Sequence, residues 1–182
     1  MRTCASSRWR HVSPLAEWPE LRLQSLLQAL VSHGVDFVIV GGIAVIAHGS
    51  ARITRDLDIC YATDQANLDV LGAALRELRA RLRGVTEDVP FVPDGRSLRQ
   101  TTILTLETDH GWIDLLAAPS GAPPYAQLRE RAERVTFGDM AVLVASLDDL
   151  ESMKRAAGRP RDLVDVEEIE VIRRLKRRTR GF

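Results

Sequence analysis

Two aspartates stand one residue apart in Asp56-Leu57-Asp58-Ile59, and a glycine pair, Gly41-Gly42, precedes them with residues 43–55 between. On a β-strand, the period of two puts both carboxylates on one face and Leu57 and Ile59 on the other. Carboxylates held side by side repel, at a cost on the order of 4 kcal/mol at ~4 Å and an effective dielectric of about 20. A divalent cation shared between them reverses the sign of that term. Glycines at the end of a strand let phosphate oxygens approach backbone amides closely, because no Cβ intervenes. Joined, the two halves read as a site that holds divalent metal against a nucleoside triphosphate. Alone, each half has a plainer reading, a tight turn or an exposed acidic strand.

A third carboxylate is needed if two metal ions are held, and Asp114 is the best placed. It interrupts the apolar run Trp112-Ile113-Asp114-Leu115-Leu116. Burying such a charge unpaired is costly, so it requires a cation or a donor. It reads as a metal ligand or as the partner of an arginine, and the metal reading is preferred for the company it gives Asp56 and Asp58. Lys154 lies one residue past Met153 on the apolar stripe Leu147, Leu150 and Met153. From the edge of a buried face it can reach a phosphate or stay in solvent. Arg52 and Thr54 lead into the aspartates, and both can touch phosphate. Asp162 and Asp165 can pair with Lys154, Arg159 or Arg161, or cap a helix start. His48 and His110 have no second histidine at metal-ligand spacing and read as packing and turn residues. No Gly-x-x-x-x-Gly-Lys-Ser/Thr occurs, so this is not a P-loop.

The elements that must position these groups follow from periodicity. Leu21 to Ser32 has helical leucine spacing and Gly34 as its stop. Asp36 to Val40 is a buried strand, after which Gly41-Gly42 turns the chain into a helix from Ile43 to His48. Asp56 to Tyr61 is the second strand, and Asn67 to Arg83 an amphipathic helix with Leu68, Leu71, Leu75, Leu78 and Leu82 inward. Residues 84–100 read as a loop or edge element. Thr101 to Thr108 and Trp112 to Ala117 form a hairpin across Asp109-His110-Gly111. Pro123-Pro124 opens a short helix, and two short strands flank a turn at Gly138-Asp139. Ser146-Leu147-Asp148-Asp149 reads as a capping box for a helix to Ala157 that Gly158 ends, with Pro160 in the first turn of the last helix.

The chain has 182 residues, 45% of them hydrophobic and 27% charged, enough apolar content for a buried core. We divide it into an irregular segment 1–18, a core over 19–145 and helices over 146–182 that complete the site. Net charge is +0, so bulk charge selects no partner, although six of the eight residues from Arg173 to Arg180 are basic. Two cysteines, Cys4 and Cys60, make neither a zinc pattern nor a disulfide framework. No signal-peptide core and no bilayer-length apolar stretch is seen, so a cytoplasmic protein without a membrane partner is expected.

The pattern Gly41-Gly42…Gly49…Arg52-x-Thr54-x-Asp56-x-Asp58 resembles the signature of the DNA polymerase β-like nucleotidyltransferase superfamily. The run Ser146-Leu147-Asp148-Asp149-Leu150…Lys154…Gly158-Arg159-x-Arg161-Asp162-x-x-Asp165 is similar to downstream motifs of the AbiEii/MenT-like toxins of bacterial toxin–antitoxin systems. The resemblance spans about residues 36 to 170. It implies a mixed-sheet α/β core flanked by helices, with Asp56, Asp58 and Asp114 binding two Mg²⁺ ions. It implies that Gly41, Gly42, Arg52, Thr54, Lys154 and Asp162 serve the nucleotide, with Lys154 also catalytic. The implied reaction moves a nucleoside monophosphate from an NTP to an acceptor, typically the 3′ end of tRNA, and a cognate antitoxin is implied as partner. A protein or aminoglycoside acceptor, or a non-catalytic nucleotide-binding module, are the competing readings.

Overall fold

Strand β2 (Asp56–Tyr61) carries the sequence logic most plainly. Leu57 and Ile59 are fully buried while Asp56 and Asp58 remain partly exposed, so the period of two has sorted the strand into a core face and a site face. Burying each of these aliphatic side chains stabilises the fold by about 2 kcal/mol. That sets the register, because a slip of one residue would push both carboxylates into the core.

The computed structural model describes residues 19–85 and 91–179. The segment 1–18 with Cys4, part of the 84–100 element, and Arg180 at the basic end fall outside them. Among the described residues seven strands form one mixed sheet, ordered β3-β4-β5-β2-β1-β7-β6. The helix α1 (Leu23–Ser32) leads into β1 (Phe37–Val40), which is buried throughout, and α2 (Gly41–Ala47) follows without a loop. Gly41 makes that junction possible, with φ at +63°, a conformation that costs an L-residue with a side chain roughly 1–2 kcal/mol. β1 pairs antiparallel with β2 and parallel with β7 (Met140–Val144). β2 pairs parallel with β5 (Gly111–Leu116).

The hairpin of β4 (Ile103–Thr108) and β5 turns at Asp109-His110, with Thr108 opposite Gly111. His110 contributes to the turn as expected, its amide donating to Thr108 Oγ1 at 3.0 Å. The helix α5 (Tyr125–Arg131) follows the proline pair, and β6 (Glu133–Phe137) and β7 close on the turn at Gly138-Asp139. His48 is buried: its Nε2 donates to the Ala145 carbonyl at 2.8 Å, and Lys176 Nζ donates to its Nδ1 at 2.9 Å.

Three expectations change. The helix α3 (Gln65–Glu77) stops six residues before Arg83. Arg79 takes a left-handed φ of +52°, and Ala80 N bonds back to Leu75 O at 2.9 Å, the Schellman arrangement that terminates helices. The leucine stripe does not see this, because Leu78 is buried either way. The chain then pairs β3 (Arg81–Leu82) with Glu107 and Leu106 of β4 as an edge strand. Within 84–100, Gly95–Arg99 forms a short helix α4 capped reciprocally by Asp94 and Ser97. At the start of α6 (Leu147–Ala157), Ser146 Oγ accepts from Asp149 N as predicted. The Asp149 carboxylate does not return to the backbone. It accepts from Ser146 Oγ at 2.7 Å and pairs with Arg131 at 2.7 Å.

Gly158 ends α6 with φ +63°, and Pro160 is the first residue of α7 (Pro160–Thr179). No described helix is long and apolar enough to cross a membrane.

Leu57→Ala should lower the free energy of urea unfolding by about 3 kcal/mol, as large-to-small changes at fully packed positions do. Ile53→Ala, at a side chain 89% exposed, should shift it by less than about 0.5 kcal/mol.

Candidate active site

The parallel register of β2 and β5 sets Asp58 directly opposite Asp114. Thr105 of β4 lies beyond Asp114, and Val40 of β1 lies on the other side of Asp58. One row across four strands therefore carries Thr105, Asp114, Asp58 and Val40, with Asp56 two residues away on the same face of β2. This face forms the floor of a cleft of about 690 Å³, a size suited to a nucleotide-scale ligand. Leu150, Met153 and Lys154 of α6 form one wall. Gly41, Gly42, Arg52 and Thr54 line the β1–α2 side, and Arg83, Ile103 and Trp112 the far side.

The glycines are packed against the acids. A Cβ on Gly41 would lie 2.0 Å from Asp58 Oδ2, and one on Gly42 would lie 2.7 Å from Thr54 Oγ1. The Gly42 amide favours the charged form of the Asp58 carboxylate, and the Thr54 hydroxyl donates to Asp56 Oδ1 at 2.8 Å. Burial pushes the Asp58 carboxyl up to about 7, and the charges of Asp56 and Asp114 add to the rise while Lys154 and the Gly42 amide oppose it. Burial also raises Asp114, against the pull of Arg83.

Arg83 donates to Asp114 Oδ2 at 3.0 Å. Its nitrogen is equally close to Oδ1, yet Oδ1 is buried and receives no hydrogen bond. The Arg83 guanidinium also lies 4.8 Å from the centroid of the Trp112 ring.

Behind the wall, α7 anchors the cations. Lys154 Nζ sits 3.3 Å from Asp162 and 2.8 Å from Asp165. Arg159 pairs with Asp162 at 2.6 Å, and Arg52 pairs with Asp165. Asp162 is fully buried and is not part of the cleft lining, so it holds Lys154 and Arg159 rather than facing a ligand. The loop between α2 and β2 is tied to the same helix, since Ser50 Oγ donates to Glu168 at 2.6 Å. Thus Asp56, Asp58, Asp114, Lys154, Gly41, Gly42, Arg52 and Thr54 all reach one cleft, and Asp162 stands behind it.

Three arginines of the cleft lining, Arg83, Arg159 and Arg161, are not assigned to the site by the sequence pattern. The leucine spacing extends a helix through Arg83 that in fact ends at Glu77, and Arg159 and Arg161 read from sequence only as partners for Asp162 and Asp165.

The site suits a divalent cation. Carboxylate oxygens are hard donors, and the neighbouring acids oppose ionisation of Asp58, a cost that a cation would relieve. Among the described residues no three acidic, histidine or cysteine side chains stand together as a finished ligand set. Arg83 and Thr54 hold oxygens of Asp114 and Asp56 in their own hydrogen bonds.

A family model described as a nucleotidyltransferase of unknown function (DUF6036) matches residues 21–178. The chain belongs to this family. No curated protein matches it. Among solved structures, this nucleotidyltransferase is similar to the lincosamide antibiotic adenylyltransferase LnuA in its lincomycin-bound form, with 16% identity over 84% of this chain and 99% of that one and a TM-score of 0.55. It also matches ANT(2″)-Ia in complex with adenylyl-2″-tobramycin, at 17% identity over 87% and 96% of the two chains and a TM-score of 0.48. An antigenic nucleotidyltransferase-like protein from Paracoccidioides brasiliensis gives 18% identity over 86% and 78%, with a TM-score of 0.45. At such identities the LnuA likeness is one of fold. The family match shows a nucleotidyltransferase.

The raised Asp58 carboxyl has a stability consequence. The folded protein holds this proton up to about pH 7, whereas the unfolded chain releases it near pH 4. Its contribution is fully present below pH 4 and is lost as pH rises through about 7. In a metal chelator, Asp58→Asn should therefore gain thermal stability relative to wild type between pH 5 and pH 8, read as a widening difference in Tm.

Proposed function

We propose that this nucleotidyltransferase moves a nucleoside monophosphate from an NTP to an acceptor hydroxyl in a Mg²⁺-dependent reaction. The observation that carries the reading is the row that sets Asp58 opposite Asp114 beside the glycine turn, with Asp56 on the same face. Asp56, Asp58 and Asp114 would hold two Mg²⁺ ions, which when bound neutralise phosphate charge and favour ionisation of the attacking hydroxyl. Lys154, fixed by Asp162 and Asp165, presents its ammonium to the triphosphate, and Arg159 and Arg161 add charge along the same wall. Gly41 and Gly42 let the phosphates approach the α2 backbone, with Thr54 and Arg52 at the margin. The acceptor oxygen bonds to the α-phosphorus, the bond to the bridging oxygen breaks, and the electron pair leaves with pyrophosphate. The proton of the attacking hydroxyl leaves to water.

The acceptor in this reading is the 3′ end of tRNA, with the chain acting in the cytoplasm as the toxin of a toxin–antitoxin pair. Its support is the likeness of residues 146–165 to the AbiEii/MenT group, together with the arginines along the cleft, which favour a polyanion. An aminoglycoside, itself a polycation, would meet Arg83, Arg159 and Arg161. A small-molecule hydroxyl is the second reading, favoured by the fold shared with the lincosamide adenylyltransferase.

Purified protein incubated with Mg²⁺, each α-labelled NTP and total tRNA should label tRNA. Asp56→Ala and Asp58→Ala should each reduce labelling by at least about a hundredfold, the scale expected when charge stabilisation of a transferring phosphoryl group is lost. Label on a lincosamide and not on tRNA would transfer the assignment to the second reading. Label in neither, with every NTP, would end the proposal.

A further inference from the structure

A sheet-edge arginine reaches across β4 to the third acid of the site. Arg83 follows the two-residue strand β3, and its backbone amide bonds to Thr105 O at 3.1 Å. Thr105 faces Asp114 in the β4–β5 register. The Arg83 guanidinium thus arrives over the row of acids from the side opposite Gly41. It bonds to Asp114 and covers Trp112. The side chain is about a quarter exposed and that of Asp114 less so, so the pair is shielded from solvent and is not a rim contact that salt would erase. The same guanidinium nitrogen lies 3.0 Å from Asp114 Oδ1, although only Oδ2 accepts a hydrogen bond from it.

A guanidinium and a divalent cation want the same carboxylate oxygens. We propose that Arg83 is the resident counter-cation of Asp114 and the residue that divalent metal must displace in order to bind there. This rests on the reading of Asp114 as a metal ligand. Arg83 is then a positioning residue. It lowers the cost of Asp114 beside Asp58 and Asp56, and it makes full metal loading conditional on its own departure. It carries a reporter with it, because leaving Asp114 takes the guanidinium off the Trp112 ring. Arg161 also acts electrostatically on Asp114 but forms no ion pair with it among the described residues, so the contact to be broken is that of Arg83.

The test uses the full chain with Mn²⁺ as probe and no nucleotide. Bound Mn²⁺ is counted by electron paramagnetic resonance, and Trp112 fluorescence is followed in a Trp9→Phe/Trp18→Phe background. In wild type, Mn²⁺ should change the Trp112 emission. In Arg83→Met that change should vanish, and Mn²⁺ should bind roughly three- to tenfold tighter, the equivalent of losing one shielded ion pair. Arg83→Gln should behave as Arg83→Met does. In an Asp114→Asn background, Arg83→Met should leave Mn²⁺ affinity unchanged, whereas an effect of long-range charge alone would persist. Equal affinity in wild type and both Arg83 variants, or Mn²⁺ binding that leaves Trp112 emission unmoved, would overturn the role of Arg83. Failure of wild type and both variants to bind Mn²⁺ at all would overturn the metal reading of the site as well.

Discussion

Three carboxylates crowd one face of the sheet, and their mutual repulsion is the constraint to which the neighbouring structure answers. Asp58 sits in the middle, opposite Asp114 and two residues from Asp56, and both neighbours act against its ionisation. Strand pairing makes the crowding unavoidable. The ladder bonds and the buried Leu57, Ile59, Ile113 and Leu115 on the other face hold the acids in place, and no rotamer change can carry a strand residue to the opposite side of the sheet. The packing of the other face therefore keeps an arrangement that its own electrostatics oppose.

The cations around the acids are held in turn by acids. Asp162 and Asp165 are buried on α7, where each would be costly without partners. Lys154 bridges both, Arg159 takes Asp162, and Arg52 takes Asp165. A buried ion pair of this kind contributes little net stability, because desolvation offsets the attraction. It does fix geometry. A lysine on an exposed helix face would sample many rotamers, whereas Lys154, gripped from behind by two carboxylates, keeps its ammonium at the cleft. The Ser50–Glu168 bond extends the same anchorage to the loop that delivers Arg52 and Thr54. The last two helices thus take part in building the cleft that the sheet begins.

Much of this was legible in one dimension. The period of two in Asp56-Leu57-Asp58-Ile59 is a local property, and so is the isolated charge in Trp112-Ile113-Asp114-Leu115-Leu116. Gly158 and Pro160 marked the break between the last helices for equally local reasons. The helix expected through Arg83 failed because the apolar stripe is indifferent to where its last turn ends. An arginine in left-handed conformation at position 79 is a stop that composition does not announce. With that boundary misplaced, Arg83 could not be seen as a neighbour of Asp114. Likewise, the Asp149 carboxylate follows the capping pattern in sequence, but Arg131, distant in the chain, claims it.

By itself, then, the order of residues determined which groups could do chemistry and which face of their own element each would occupy, because side-chain alternation and helix stops depend on near neighbours alone. The tertiary structure decided which of those faces meet. Asp58 faces Asp114 through a parallel pairing of strands more than fifty residues apart. The same closure buries Asp162 behind Lys154 and brings Arg83 in from the sheet edge. Such pairings are chosen by the burial of the whole core, a sum over contacts that no local window contains.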